Sequence, residues 1–401
     1  MATRTLMLAA ALGLSGALLA GCGDDGSDAD TDKTTQNGEA SSQEQASSDG
    51  TGGTSESSSA SDSSGTSDNS SASESSSTSG EGDEAAQTAS VEPVSLIFGT
   101  GGTGGTYYPI GGALKGVFEA SDIIDDIQVV STGASVQNIN NITDGLNQIA
   151  IVMSDVAYDA INGENQFDGR PADIKALAGL YPNVVQIVAT EDSGVDSIAD
   201  LEGKRVGVGK VGSGVEQSAK KVLESAGLTY DDLAQVSHTG YADSVTGMSN
   251  GNLDAAFFTS GVPNSSITGL MQSTDIKFVP VTGEVADKLL EAYPYYEPYT
   301  LPAGAPERYG LDAEVDTVAI RNMLIVDSDM RDAVAEELTQ RFYDYLNSEK
   351  VSVGALKQFD PDTMNKNLVA PVHPGAQSFY DTLSEGDASD GKKANGTGSG
   401  N

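Results

Sequence analysis

The sequence predicts an α/β fold of two similar lobes, each on a doubly wound sheet, with a ligand cleft between them. Apolar strand-like runs alternate with helix-period patterns, the pattern restarts after residue 190, and a glycine-rich strand-to-helix turn recurs in each half. The segment carrying this pattern, about 290 residues, exceeds the usual size of a single core and suits two lobes.

Val94-Ser95-Leu96-Ile97-Phe98 reads as the opening strand. After a glycine-rich turn, Ile110, Ala113, Leu114, Val117 and Phe118 repeat at helical spacing, with Pro109 in the first turn, where a missing N–H costs nothing. Residues 126–130 read as a second strand. A helix from near Ser135, apolar at Val136, Ile139 and Ile142, ends at Gly145 as its cap. Residues 148–153 form a third strand, and Ser154 reads as the N-cap of a short helix ending near Gly163. Two extended runs, 174–180 and 184–190, complete the first lobe. The second opens with a short helix, a turn and a strand over 197–208, then a glycine-rich turn from Gly209 to Gly214. A helix through Ala219, Val222, Leu223 and Ala226 follows, closed by Gly227. Further units run through 253–258 and 276–281. A late strand, 317–326, and a long helix, 329–347, return to the first lobe.

The N-terminus predicts export. Arg4 precedes an apolar run from Leu6 to Ala20, and Leu19-Ala20-Gly21-Cys22 reads as a lipobox. The run is too short for a permanent membrane span. Cys22 is the only cysteine, so it has no disulfide partner, and its expected use is lipid attachment. Residues 1–21 are therefore read as a lipoprotein signal peptide. Residues 22–91 are the lipidated cysteine and an acidic Ser/Gly-rich tether, too polar to bury a core and expected to be disordered. Such a tether has an r.m.s. reach of roughly 45 Å. Lobe 1 is assigned to 92–190 with about 315–383, lobe 2 to 191–314, and a disordered tail to 384–401.

Lys and Arg number 21 against 59 acidic residues, a formal net charge of -38. Nucleic acid and anionic lipid surfaces are excluded as partners on that ground. Dense surface carboxylate suggests a salty habitat.

Gly99-Thr100-Gly101-Gly102-Thr103-Gly104 and Gly207-Val208-Gly209-Lys210-Val211-Gly212 both satisfy G-x-G-x-x-G. Taken singly, each is read equally well as a tight turn or a binding loop. No carboxylate ends the strand after the first loop, as a dinucleotide's ribose would require, and neither loop continues into Gly-Lys-Ser/Thr. Recurrence in both lobes favours binding, because a helix N-terminus offers free N–H groups and a positive dipole end to an anion. The only histidines, His238 and His373, have no spacing of a triad or metal site, so no catalytic residue, metal or cofactor is expected.

Several ordered blocks resemble one family, the TAXI-type receptors of tripartite ATP-independent periplasmic (TRAP) transporters. They are Thr100 to Pro109, Ser131 to Val136 with Asn138, Ile151 to Tyr158, Gly209 to Gly214 and Ala255 to Asn264. The resemblance implies a type II periplasmic-binding-protein fold. It also implies closure around a small organic acid or amino acid, glutamate-like in some members, and delivery to a sodium-coupled membrane permease. Lys210 departs from the family pattern, where this loop is less basic. With the loop argument, the resemblance nominates Thr103, Gly104, Gly105 and Thr106 as N–H and hydroxyl donors, and Tyr107 or Tyr108 as cover for the ligand's carbon skeleton. Ser131, Gly133, Ser135, Ser154 and Asp155 are further candidates, with Asp155 placed to read a ligand amino group. Gly212, Ser213 and Gly214 would form an opposing N–H nest, and Thr259, Ser260 and Gly261 the far wall. Ser135, Ser154 and Ser213 can equally be helix caps. The tyrosines at 293, 295, 296 and 299 read as a packed surface loop near the hinge. The alternatives to an uptake receptor are a ligand-sensing lipoprotein that signals to a membrane partner, and a secreted nucleotide-dependent enzyme.

Overall fold

A computed structural model describes residues 92–394, with side chains to 385; the expected signal peptide, the expected lipidation at Cys22 and the expected tether to 91 lie outside the described residues. The first half runs β1 (Val94–Gly99), α1 (Tyr107–Phe118), β2 (Ile124–Val130), α2 (Ser135–Thr143), β3 (Ile149–Met153), α3 (Ser154–Asn162) and β4 (Ile174–Thr190). The second runs β5 (Arg205–Gly207), α4 (Gly214–Ser225), β6 (Gln235–Ser237), α5 (Tyr241–Ser249), β7 (Ala255–Ser260), α6 (Ser265–Met271), β8 (Ile276–Val279), α7 (Gly283–Ala292) and β9 (Tyr296–Leu301). Then come β10 (Val315–Asp327), α8 (Asp332–Leu346), α9 (Gly354–Lys357) and α10 (Pro374–Ala394).

Helix and strand positions follow the apolar periodicity. On α1 the buried set is Tyr107, Ile110, Gly111, Leu114 and Phe118, one face of a 3.6-residue period. Phe98 and Phe118 are fully buried, with ring centroids 6.5 Å apart, and each such side chain contributes roughly 1.5–3 kcal/mol on leaving water. Gly145, Gly163 and Gly227 all take positive φ just after α2, α3 and α4, as the cap reading requires.

The strand order is β2-β1-β3-β10-β4-β7-β5-β6, with β8 on β4 and β9 on β10. Each half repeats one motif: β1 lies between β2 and β3, and β5 between β6 and β7, all in parallel. β4 and β10 are antiparallel to each other and join the halves. One end of β4 pairs with β10 beside β3, and the other, from Val184 on, pairs with β7 and β8. The two halves thus form two lobes that share β4 and β10 as crossing strands. The two expected sheets are hydrogen-bonded into one path. The expected break at Tyr181-Pro182-Asn183 is absent, because Pro182 sits opposite Arg321 beside a register shift that absorbs its missing N–H.

Two local expectations are corrected. Ser154 is the first helical residue of α3, whose N-cap is Met153. At the C-terminus, α10 continues ten residues past 384; Phe379 and Tyr380 are buried, and a helix anchored by packing extends at one hydrogen bond per added residue. Among the described residues, no helix is long and apolar enough to cross a membrane.

Candidate functional site

The ends of β1, β2 and β3 are tied together by one side chain. Asn138 is fully buried on α2; its Nδ2 donates to Thr100 O (2.7 Å) and Ile151 O (2.9 Å). Thr132 Oγ1 stands 2.7 Å from Asn138 Oδ1 and 2.9 Å from Thr100 O and donates its one proton to one of them, and it accepts from Ala134 N. This buried cluster holds the β1–α1 and β2–α2 loops against each other, so their helices begin side by side. Ala134, the N-cap of α2, takes φ 71 and ψ -143, a conformation an L-residue enters only under constraint.

Across from these loops lie the β5–α4 loop, the start of α5 and the end of β7. Between the two sets is a pocket with about 630 Å³ of empty space, part of it open to solvent. Lobe 1 lines it with Gly101, Gly102, Gly104 to Tyr107, Thr132 to Ser135, Met153 and Asn183; lobe 2 lines it with Gly209, Lys210, Ser213 to Val215, Thr239 to Tyr241, Thr259 and Ser260. Four helices, α1, α2, α4 and α5, start at its wall. In α4, Ser213 Oγ caps Glu216 N at 3.1 Å, which leaves the N–H groups of Gly214 and Val215 with no intrahelical partner. Lys210 is the one cation on the wall, and no carboxylate is on it.

Two buried polar atoms on the wall have no partner: Thr259 Oγ1 and Asn183 Oδ1. Orphaned polar atoms are costly unless something binds them. Tyr107 is held by the crossing strands, donating to Asn322 Oδ1 at 2.5 Å and accepting from Asn183 Nδ2 at 3.3 Å. Burial, and then the neighbouring Tyr181, push its phenol well above the ordinary range, so it is a neutral donor. Tyr241 is raised by burial too, and its hydroxyl is committed to Thr259 O at 2.8 Å.

Of the residues nominated from sequence, the structure brings Gly104, Gly105, Thr106, Tyr107, Gly133, Ser135, Ser213, Gly214, Thr259 and Ser260 to the pocket wall. Seven others lie elsewhere. Thr103 is exposed, and Tyr108, 37 % exposed, is off the pocket wall. Ser131 Oγ donates to Gly101 O at 2.9 Å and shapes the loop. Ser154 opens onto a separate cavity with Pro182 and Arg321. Gly212 has its N–H engaged by Glu216 Oε2 at 2.7 Å, which removes it from the nest. Gly261 packs against Tyr181 and Ala355. Asp155 is fully buried with Oδ2 2.8 Å from Lys221 Nζ, so it cannot read a ligand's ammonium. Asn138, Asn183, Ala134, Thr239 and Gly240 were not nominated. Asn138 stands on a helix that the periodicity marked; Thr239 and Gly240 lie between β6 and α5, a junction outside the runs read above, and Asn183 carried no local signal. Among the described residues, no cluster of three or more His, Cys, Asp or Glu could hold a metal ion.

The pocket therefore lies between two lobes joined by paired crossing strands, with helix N-termini at its wall. The chain belongs to the NMT1-like family, whose sequence profile matches residues 98–382. Among solved structures it is similar to the alkanesulfonate-binding protein SsuA from Xanthomonas axonopodis pv. citri bound to MOPS, at 15% identity, covering 73% of this chain and 93% of that one, with TM-score 0.42. It is also similar to an ancestral arginine-binding protein bound to arginine, at 14% identity over 66% of this chain and 95% of that one (TM-score 0.40). A third is the ligand-binding component of an ABC-type import system from Staphylococcus aureus with zinc bound, at 10% identity over 73% and 92% (TM-score 0.41). At such identities pocket side chains differ freely, and the ligands of those proteins do not transfer.

Proposed function

We propose that this protein is the extracytoplasmic solute receptor of a TRAP-type transporter, held at the membrane through Cys22, and that its solute is a small organic acid. The observation that carries the reading is the pocket wall: four helix N-termini and the Lys210 ammonium converge on it with no carboxylate among them. Partial positive charge at each helix start is typically worth about 0.3–1 kcal/mol toward an anion, and here the starts share one wall. An amino acid ligand would need a counter-charge for its ammonium. Asp155, the residue expected to supply one, is spent on Lys221. An organic acid without an α-ammonium therefore fits better than a glutamate-like ligand. Lobe 1, 92–190 with about 315–383, and lobe 2, 191–314, would close on it about β4 and β10 and present it to the permease.

The test is thermal melting of residues 92–394, at high and low salt, against keto acids, dicarboxylates, amino acids, sugars and NAD. A midpoint that climbs with the logarithm of one organic acid's concentration, by more than with the matching amino acid, is the expected result. Stabilisation by NAD alone, or by none of the panel, would overturn the receptor reading.

A further inference from the structure

Lys221 is a cation with no place in the solute pocket. It lies on α4, in the lobe built on β5, β6 and β7, yet both its ion-pair partners lie on α3 in the other lobe. Nζ is 2.8 Å from Asp155 Oδ2 and 3.7 Å from Asp159 Oδ2, and all three side chains are almost fully buried, at 6%, 0% and 5% exposure. The rings of Tyr293 and Tyr295 stand with centroids 5.2 Å from the same Nζ. Tyr296 fastens this aromatic loop to α4, its hydroxyl donating to Ser218 Oγ at 3.1 Å. Tyr158 of α3 then packs across the lobe boundary on Tyr295, centroids 5.8 Å apart.

We propose that Lys221, Asp155 and Asp159, roofed by Tyr158, Tyr293 and Tyr295, form an interlobe clasp that holds the two lobes closed independently of the solute. Opening about β4 and β10 separates α3 from α4 and returns the three charges to water. Closing removes them from water together, and the arrangement is tolerated only as a complete set, since a buried charge that loses its partner is strongly unfavourable. The ammonium is kept charged. Burial pulls its pKa down, but the Asp155 carboxylate, the Tyr296 and Tyr295 phenols and Asp159 together hold it above the ordinary lysine value. A second interlobe contact lies at the pocket wall, where Asn264 Nδ2 and Ser266 Oγ both donate to Gly104 O, at 3.3 and 3.1 Å. A receptor clasped in this way spends most of its time closed, so solute must wait for opening. The clasp then slows release more than it helps capture.

The closing role rests on the receptor reading, but its first test does not. Cys22 is the only cysteine, so residues 23–401 are a cysteine-free background for spin labels at Asn140→Cys on α2 and Asp243→Cys on α5, both exposed. Electron–electron distances without any solute should show one short population in the parent chain. Lys221→Met and Asp155→Asn should each add a population longer by at least 5 Å, and Lys221→Arg should add less than Lys221→Met. Should Lys221→Met fail to fold, Tyr158→Ala, at a 41% exposed position, gives the same direction with smaller amplitude. Distances unchanged by every variant, or an open parent chain, would overturn the clasp and leave the solute reading standing. Loss of thermal stability with unchanged distances would reduce the cluster to a structural ion pair. With a solute in hand, the expected signature is at least tenfold faster dissociation with association not slowed.

Discussion

The loops that lead into α1 and α4 share one glycine spacing and use it for different ends. In the β1–α1 loop no glycine has positive φ, and Gly102 has open space where a Cβ would stand. The need there is proximity: a Cβ on Gly104 would lie 2.7 Å from Ser266 Oγ of the other lobe. In the β5–α4 loop the need is backbone shape. Gly209 (φ +91) and Gly212 (φ +72) turn the chain so that Ser213 caps α4 and Glu216 folds back onto Gly212 N. One loop leaves room for the opposing lobe, while the other is a rigid turn that aims a helix start and Lys210 at the pocket. An identical G-x-G-x-x-G string therefore carries no single meaning, and its consequence depends on whether the missing Cβ or the allowed φ is used.

That contrast can be broken most forcefully at Gly214, the first residue of α4, where a side chain would run into Met153 of the other lobe and come within 2.9 Å of Ser135 Oγ. Gly214→Val should wedge the lobes apart and weaken solute binding by about 100-fold, roughly 2.7 kcal/mol, while the solute-free melting midpoint falls only by what opening the clasp costs. Titration calorimetry beside melting separates the two. Gly209→Ala should act through the fold instead, costing about 1–3 kcal/mol in urea unfolding, because φ +91 is strained for alanine and its Cβ would crowd Val215. Lys210→Gln should leave stability intact and lower affinity for an organic acid about tenfold, with a shallower salt dependence of binding. Gly102→Ala, with neither constraint, should change stability by no more than about 0.5 kcal/mol. Equal losses at Gly102 and Gly209 would remove the distinction between the loops.

Much of the site was legible because pocket-lining residues sit where strands run into helices, and those junctions are marked by periodicity. Ten nominated residues reach the wall for that reason. The failures share a cause. Asp155 follows β3 as a ligand-reading carboxylate should, but each residue rotates the chain by about 100° around a helix, so one position decides between pocket and interior. Its true partner is 66 residues away. Ser154, one position earlier, lines a separate cavity with Pro182. Ala134 gave no warning at all, since its unusual backbone is imposed by the Thr132 and Asn138 bonds around it.

By itself the sequence determined the alternation of strands and helices, their glycine caps, the restart that makes two lobes, and the strongly acidic composition. These depend on neighbours within a turn or two, where periodicity and allowed φ decide the outcome. Only the tertiary structure decided that β4 and β10 join the lobes as one hydrogen-bonded sheet. It also decided that the pocket carries a lysine without a carboxylate, and that Asp155 closes on Lys221. Those outcomes turn on which groups meet after the lobes fold against each other, and burial makes such meetings all-or-none, because a charge removed from water must find its partner in the same step.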